Sequence, residues 1–188
     1  AYYNMGLTYR TKSLLAGLND YARYNYLNKA STSYKNAVDI LNSYNSNYNL
    51  GLIHQLLKNK NQAGFYYCKA IALSPMEYEA HFNLAVLLND LEEYQGAQEE
   101  FKKAGLILDS NGEGVKTAYI YDVLDEVNKK IAILTPNNVK KKIEEKEEEA
   151  KTQSKYKAGK LVIDSLSEED LKEYFSVCAR KELFLGDM

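Results

Sequence analysis

The sequence is poor in several residue types, and each shortage narrows the class of protein. It has 188 residues, no Trp and only two Pro, so long helices are allowed along most of the chain. The two cysteines, Cys68 and Cys178, are far apart and form no C-x-x-C pair. This spacing argues against a zinc site or a disulfide framework and predicts two small buried hydrophobes. No apolar run approaches the roughly 20 residues that a membrane-spanning helix needs.

An excess of charge of either sign is also lacking. The 24 Lys and Arg residues nearly balance the 26 Asp and Glu residues, so the formal net charge is −2. This balance predicts neither a nucleic acid nor an anionic membrane surface as the partner. No signal peptide is visible, but the chain starts on Ala, so the compartment stays undetermined. A cytoplasmic location is our expectation.

Signatures of catalysis and of metal binding are missing too. Histidine occurs only at His54 and His81, and the chain has no H-E-x-x-H motif, phosphate-cradling glycine loop or nucleophile elbow. Residues 110–114 hold two glycines but are typical of a turn between helices. The acidic run at 144–149 is interrupted by Lys146 and lacks the ligand spacing of a calcium loop. We therefore expect no enzyme activity, no catalytic residue, no metal and no cofactor.

The most informative feature that is present is an internal repeat. Leu50 and Leu84 are 34 residues apart, and the same spacing separates Ala63 from Ala97, Tyr67 from Phe101 and Ala70 from Ala104. An earlier copy lies 33 residues upstream of Ala63, Tyr67 and Ala70. It consists of Ala30, Tyr34 and Ala37. Each copy predicts two amphipathic helices. The first helix carries aromatic-Asn-Leu/Met-Gly/Ala, and the second carries Ala-x3-aromatic-x2-Ala.

This pattern resembles the tetratricopeptide repeat, whose unit is a 34-residue helix pair. The small residues that the family requires correspond to Gly51, Ala63, Ala70, Ala85, Ala97 and Ala104. Pro75 lies where the family often has Pro. The resemblance implies an all-α superhelix of stacked helical hairpins. In such a fold, small residues let paired helices approach closely, and large residues fill the space between neighbouring hairpins.

The chain departs from the family pattern in three respects. Asn47 and His81 occupy a place that is often Trp in the family, and His54 occupies one that is often Tyr. Both histidines are therefore predicted to pack as core residues. The first copy is about 12 residues longer than the others. This insertion predicts a long second helix that begins near Asn19 or Asp20, since either residue can cap a helix.

The patterns predict three segments. Residues 1–134 are expected to form the repeat array, with about three repeats and a capping helix over 113–134. The apolar residues that recur along this capping helix are Ala118, Ile120, Tyr121, Leu124 and Val127. Residues 135–160 predict a charged helical spacer, because Glu and Lys recur at i,i+4 spacing. Residues 161–188 predict an amphipathic helix, which docks on the repeats, on another copy or on a partner. Its apolar face comprises Leu171, Tyr174, Phe175 and Cys178.

The resemblance also implies a binding surface, because the first helices of successive repeats line a concave groove that binds peptides in this family. The expected peptide-binding residues are Asn4, Asn49, Asn83, Tyr3, Tyr48, Phe82, Leu52, Val86, Gln55 and Asn89. A side-chain amide has donors and an acceptor, so a row of Asn side chains suits a peptide backbone. The alternative is that Asn is simply common at this place. The family's clamp for terminal carboxylates needs basic residues that the corresponding positions lack.

The predicted function is a non-catalytic protein-interaction module, an adaptor or scaffold that binds a peptide or protein segment in its groove. The alternative is a structural subunit of a larger assembly, which oligomerises through its convex face and its C-terminal helix. A regulatory domain of a larger enzyme also stays open. The expected partner is another protein or peptide, and neither a nucleic acid nor a membrane. Self-association through the C-terminal helix is a further option.

Overall fold

The structure, a computed structural model, describes residues 1–134 and contains seven α-helices and no strand in this range. The helices are α1 (Tyr2–Ser13), α2 (Asp20–Ile40), α3 (Tyr44–Leu56), α4 (Lys60–Leu73), α5 (Tyr78–Asp90), α6 (Tyr94–Ser110) and α7 (Gly114–Leu134). The all-α prediction is confirmed for this part of the chain. The predicted spacer at 135–160 and the predicted helix within 161–188 lie outside the described residues.

The chain divides into two compact units, whose described parts are residues 1–76, called unit 1 here, and residues 77–134, called unit 2. In unit 1, α1 packs along α2, α3 packs along α4, and α2 also contacts α3. In unit 2, α5 packs along α6, and α6 contacts α7. Helices that are adjacent in sequence therefore pair as hairpins, and α7 adds one further helix against α6.

The extra length of the first hairpin lies largely in its second helix. Asn19 caps α2, because its Oδ1 accepts a hydrogen bond from the backbone N–H of Ala22 at 2.8 Å. This confirms the predicted start of the helix. From there α2 runs for 21 residues, whereas the corresponding helix α4 has 14. The insertion thus lengthens one helix without disturbing the pairing of α1 with α2.

The turns that close the second and third hairpins have the same backbone geometry. Lys58 and Glu92 are 34 residues apart, and both have a φ of 63°. In each turn the next backbone N–H donates to the carbonyl five residues back, at 2.8 Å for Asn59 and 2.9 Å for Glu93. This is the left-handed C-terminal cap that commonly ends a helix. The repeat register therefore extends from the helices into the turns between them.

Small residues permit the close approach of the helices within each hairpin. The fully buried alanines are Ala30, Ala63, Ala70, Ala80, Ala85, Ala97 and Ala104. A Cβ atom added at Gly51 would lie 2.5 Å from the Tyr67 ring, and one added at Gly6 would lie 2.7 Å from the Tyr34 ring. Neither distance is compatible with a real Cβ contact, so the two rings pack directly over glycine backbone.

The buried face of α7 differs in part from the prediction. Its buried residues are Thr117, Ile120, Leu124 and Val127, whereas Ala118 and Tyr121 are exposed. The Tyr121 hydroxyl instead donates to Asp109 Oδ2 at 2.8 Å. The three- and four-residue steps identified a helix correctly, but they fit two neighbouring rows of residues along it, one with Thr117 and one with Ala118 and Tyr121. Only the packing against α6 selects the row that contains Thr117.

Cys68 also differs from the expectation. It is half-buried on α4, not in the core, and it is disulfide-bonded, not a free thiol. The prediction that it acts only as a small buried hydrophobe is therefore wrong. The spacing of cysteines along a sequence carries no information about their separation in space, and a disulfide depends on the latter.

Candidate protein-binding faces

The three aromatic residues predicted to line the groove all pack inside their own hairpins. Each lies on a first helix and contacts the large aromatic residue of the paired second helix. The ring centroids are separated by 5.7 Å for Tyr3–Tyr34, 6.2 Å for Tyr48–Tyr67 and 5.6 Å for Phe82–Phe101. The three predicted residues are half-buried, and their second-helix partners are fully buried. Each ring therefore packs within its hairpin and stays partly exposed.

Gln55 is engaged by the same core. The Tyr67 hydroxyl donates to Gln55 Oε1 at 2.5 Å. Burial raises the pKa of Tyr67 well above its usual value, so this hydroxyl stays protonated. The Gln55 oxygen is therefore occupied within the hairpin.

Asn49 is more buried, and makes more hydrogen bonds within the protein, than the sequence suggested. It is only 5% exposed. Its amide nitrogen donates to the Asn45 carbonyl at 2.8 Å and, at the longer distance of 3.5 Å, to the Tyr3 hydroxyl. Its Oδ1 accepts from Arg10 Nη1 at 3.1 Å. The two amide donors are thus taken up within unit 1, where Asn49 links α3 to α1.

The other two members of the predicted Asn row have different surroundings. Asn83 is half-buried, and its amide nitrogen donates to the Glu79 carbonyl at 3.0 Å, just as Asn49 bonds the carbonyl four residues before it. Asn4 is exposed in the first turn of α1. Asn28 makes a similar bond on α2, outside the row. An Asn side chain that donates to the carbonyl four residues before it therefore recurs along these helices and is not specific to the predicted row.

Arg10 is a candidate site residue that the sequence interpretation missed. It is half-buried on α1, and its bond to Asn49 joins residues 39 positions apart. A repeat offset of 45 residues aligns Asn4 with Asn49, and the same offset aligns Arg10 with the predicted site residue Gln55. That alignment would have placed Arg10 on the binding face. The long arginine side chain spans the distance between two first helices that do not pair with each other.

Apolar surface surrounds this polar contact in unit 1. Leu7 on α1 is 44% exposed. On α3, Leu56 is 46% exposed, and Leu52, four residues earlier, is half-buried. The side chains at Tyr3, Leu7, Arg10, Tyr48, Asn49, Leu52 and Leu56 form what we call the α1–α3 face. A cavity of about 460 Å³ opens beside its N-terminal end, against Tyr3, Ile40 and Asn45. The face is thus mainly apolar, with one charged group.

Unit 2 has a corresponding pair of helices, α5 and α7. Phe82 lies 6.1 Å from the Tyr119 ring, and Val86 is half-buried one turn further along α5. Near the end of these helices, Lys130 Nζ donates to Asn89 Oδ1 at 2.9 Å. The predicted site residue Asn89 is therefore held by α7. This α5–α7 face is bridged by a ring contact and a lysine, where the α1–α3 face is bridged by an arginine and an amide.

A buried ionic cluster lies inside the α5–α6 hairpin. His81 is fully buried, and its Nδ1 lies 2.6 Å from Glu100 Oε2, while Lys103 Nζ donates to Glu100 Oε1 at 2.8 Å. Burial alone would raise the pKa of Glu100, but the hydrogen bonds and charges of His81 and Lys103 outweigh it and hold that pKa below its usual value. Because a substrate has no access to this pair, we assign it to packing.

The second histidine also packs as an aromatic residue. The His54 ring stacks on the Tyr66 ring at 5.4 Å, and burial lowers its pKa. Within residues 1–134, no three His, Cys, Asp or Glu side chains come together as a metal site would require. None of the helices in this range is long and apolar enough to cross a bilayer.

Hairpins in series, with a small residue beneath a large aromatic ring, define an all-α helical-repeat protein. The family model for the tetratricopeptide repeat matches residues 44–75 and 78–104. The chain therefore carries tetratricopeptide repeats, formed by α3 with α4 and by α5 with α6, as the sequence pattern indicated. The hairpin of α1 and α2, with its longer second helix, lies outside the matched residues. A search of curated proteins finds no match. Tetratricopeptide repeats are generally protein–protein interaction modules.

Proposed function

We propose that this chain is a non-catalytic adaptor or scaffold that binds an extended segment of another protein on the first helices of its hairpins. The observation that carries the proposal is the α1–α3 face, where Leu7 and Leu56 stay exposed beside half-buried aromatic rings. Exposed apolar side chains next to rigid aromatic residues are typical of protein-binding surfaces. The paired second helices hold these rings in place, so the surface is formed before a ligand arrives.

The proposal gives the predicted site residues different roles. Tyr3, Tyr48 and Leu52 supply apolar contact in unit 1, as Phe82 and Val86 do in unit 2. Asn4 is exposed and suits a direct bond to a peptide backbone. Asn49, Gln55 and Asn89 already bond within their units, so they act mainly by holding neighbouring side chains. A ladder of three equivalent Asn contacts is therefore not what we propose.

A matched pair of leucine variants tests this function. Peptides of about twelve residues are first selected on the full chain by phage display, since an extended segment is the expected ligand. We expect Leu7→Glu to weaken the selected peptides by on the order of tenfold, because the carboxylate removes apolar contact at the face. Leu106→Glu is the control: Leu106 is 48% exposed, but it lies on the second helix α6. Binding is measured by fluorescence anisotropy.

Two outcomes contradict the proposal. Equal weakening by both variants would mean that the peptides bind elsewhere or nonspecifically. A failure to select any peptide whose binding depends on Leu7 would favour the competing function, a structural subunit. That alternative draws support from Val115 and Ile133 on α7, which are 89% and 82% exposed. It predicts self-association of the full chain in sedimentation velocity, lost on Ile133→Lys and retained on Leu7→Glu.

A further inference from the structure

The two units carry opposite charge, although the whole chain is nearly neutral. Residues 1–76 contain eight Lys or Arg and only two acidic residues, Asp20 and Asp39. Residues 77–134 contain five Lys and twelve Asp or Glu. Unit 1 therefore has a formal charge of +6, and unit 2 has one of −7. A surplus of this size steers a ligand of the opposite sign toward unit 1 and repels one of the same sign.

Arg10 is the basic residue of unit 1 that points into the candidate face. Its side chain is half-buried, and its guanidinium bonds the Asn49 amide oxygen. No carboxylate among the described residues lies within salt-bridge distance of it. Its charge also acts on the hydroxyl groups of Tyr34 and Tyr67. In unit 2, by contrast, the buried Glu100 carboxylate is met by both His81 and Lys103.

Within residues 1–134, no carboxylate therefore neutralises the positive charge of Arg10. An arginine stays charged at any ordinary pH, and its planar fork has five N–H donors, which match a carboxylate in bidentate geometry. The bond to Asn49 uses one nitrogen and restricts the orientation of the fork. A partly desolvated guanidinium with spare donors gains most from an ionised acceptor. Its half-buried position reduces the water available to satisfy those donors.

We propose that the α1–α3 face binds an acidic segment of a partner protein, with Arg10 taking a side-chain carboxylate and Asn49 positioning its guanidinium. The inference rests on the proposed function and adds the chemistry of the partner. A nucleic acid fits less well, because α3 has no Lys or Arg and α1 offers only Arg10 and Lys12. Binding to a nucleic acid backbone relies on many such contacts. Lys29 and Lys69 lie on the second helices, over the rings of Tyr9 and Phe65.

Two C-terminally amidated peptides of about twelve residues, one alternating Glu with Ala and the other Gln with Ala, test the proposal on the full chain. Amidation removes the terminal carboxylate, so that only side chains are probed. We expect the Glu peptide to bind more tightly, and Arg10→Gln to weaken it by on the order of tenfold. Arg23→Gln removes the same charge at an exposed site on α2 and should cost less than about twofold at roughly 300 mM NaCl, where long-range charge is screened. Arg10→Lys should fall between the two.

Equal losses for Arg10→Gln and Arg23→Gln would overturn the role of Arg10, provided that circular dichroism shows both variants folded. If the Gln peptide binds as tightly as the Glu peptide and Leu7→Glu weakens both, the proposed function stands and the acidic partner is rejected. Three further results would assign the face to a different occupant and overturn the proposal. A nucleic acid would be the occupant if an oligo(dT) strand binds in preference to the Glu peptide and depends on Arg10. A second copy would be the occupant if the chain forms salt-sensitive dimers that Arg10→Gln abolishes. The chain's own acidic run would be the occupant if changing the glutamates within 144–149 to Gln tightens peptide binding.

Discussion

The α3–α4 and α5–α6 hairpins share one 34-residue register but fill it with different residues. In the first, Gly51 lies beneath the ring of Tyr67, whose hydroxyl bonds Gln55. In the second, the register places Ala85 opposite Phe101, and both are fully buried. A smaller residue thus faces the larger ring, and a larger residue faces the smaller ring. The two facing pairs therefore have a similar combined size, although the side chains that compose them differ.

The polar residues of the two hairpins differ more strongly. In α5–α6, the pair of His81 and Glu100 joins the two helices through a buried ionic contact. The register places Asn47 and Tyr66 at the same two positions of α3–α4. Asn47 is also fully buried, but its amide bonds the Ser43 carbonyl at 2.9 Å, at the start of its own helix. One hairpin therefore has an ionic contact that crosses between helices, while in the other only the amide nitrogen of Asn47 is satisfied, by local partners.

Removing the buried Glu100 carboxylate should have the largest effect on stability, because only the α5–α6 hairpin contains this ionic contact. We expect Glu100→Ala to lower the free energy of unfolding by about 3–5 kcal/mol, because it leaves His81 buried without its acidic partner. Glu126→Ala, at an exposed carboxylate on α7, is the control and should change the free energy by less than about 0.5 kcal/mol. Both are measured by urea denaturation followed by circular dichroism.

Acid provides an independent check on the same pair. The pKa of Glu100 is lowered in the folded state, so its stabilising contribution is present above the ordinary value of 4.5 and is lost as the pH falls through the lowered value. The difference in unfolding free energy between the wild type and Glu100→Gln should therefore shrink below about pH 4.5. A difference that stays constant into acid, or a loss for Glu100→Ala as small as that for Glu126→Ala, would show that the ionic contact contributes little.

The facing pair of small and large residues gives a second, smaller effect. Gly51→Ala adds a Cβ at 2.5 Å from the Tyr67 ring. Ala favours a helix by about 1 kcal/mol over Gly, but overpacking typically costs about 1–3 kcal/mol. We expect a net loss on the order of 1–2 kcal/mol, since the Tyr67 hydroxyl bond to Gln55 hinders the ring from shifting. Thermal and urea denaturation measure it.

Two further variants make this test specific. Gly114→Ala changes the same residue type where nothing lies within 4 Å, so it should be neutral or slightly stabilising. Adding Tyr67→Phe to Gly51→Ala recreates the Ala85 and Phe101 pair of the other hairpin and frees the ring from Gln55. The double variant should therefore lose less than the two single variants added together. Strict additivity would mean that the two positions do not act as a pair.

The sequence predicted the features that arise from local rules. The 34-residue spacing located the hairpins, since small and aromatic residues at fixed steps are required wherever two helices approach closely. The cap at Asn19 was predictable because a cap involves only the next few residues. The buried stripe of α7 was only partly predicted, because the steps that include Tyr121 fit a helix as well as those that include Thr117.

The candidate site was less predictable, because its contacts join distant residues. Asn49 was expected to face an open groove, yet its partners Tyr3 and Arg10 are 46 and 39 residues away on another helix. No periodicity within a single repeat reports such a contact. The burial of His81 was expected from the register, but its pairing with Glu100 was not, since the α3–α4 hairpin has no equivalent pair.

The turns of the two hairpins offer the finest test of the comparison. Lys58 and Glu92 share a φ of 63°, which costs a non-glycine residue about 1–2 kcal/mol, whereas glycine adopts it freely but loses more entropy on folding. We expect Lys58→Gly and Glu92→Gly each to stabilise the chain by about 0.5–1 kcal/mol in urea denaturation. Glu92→Gly should gain more, because it removes a negative charge from the negative end of α5, while Lys58→Gly removes a favourable charge from α3. Equal gains would mean that backbone strain alone matters at this turn, and a larger gain at Lys58 would contradict the helix-dipole argument.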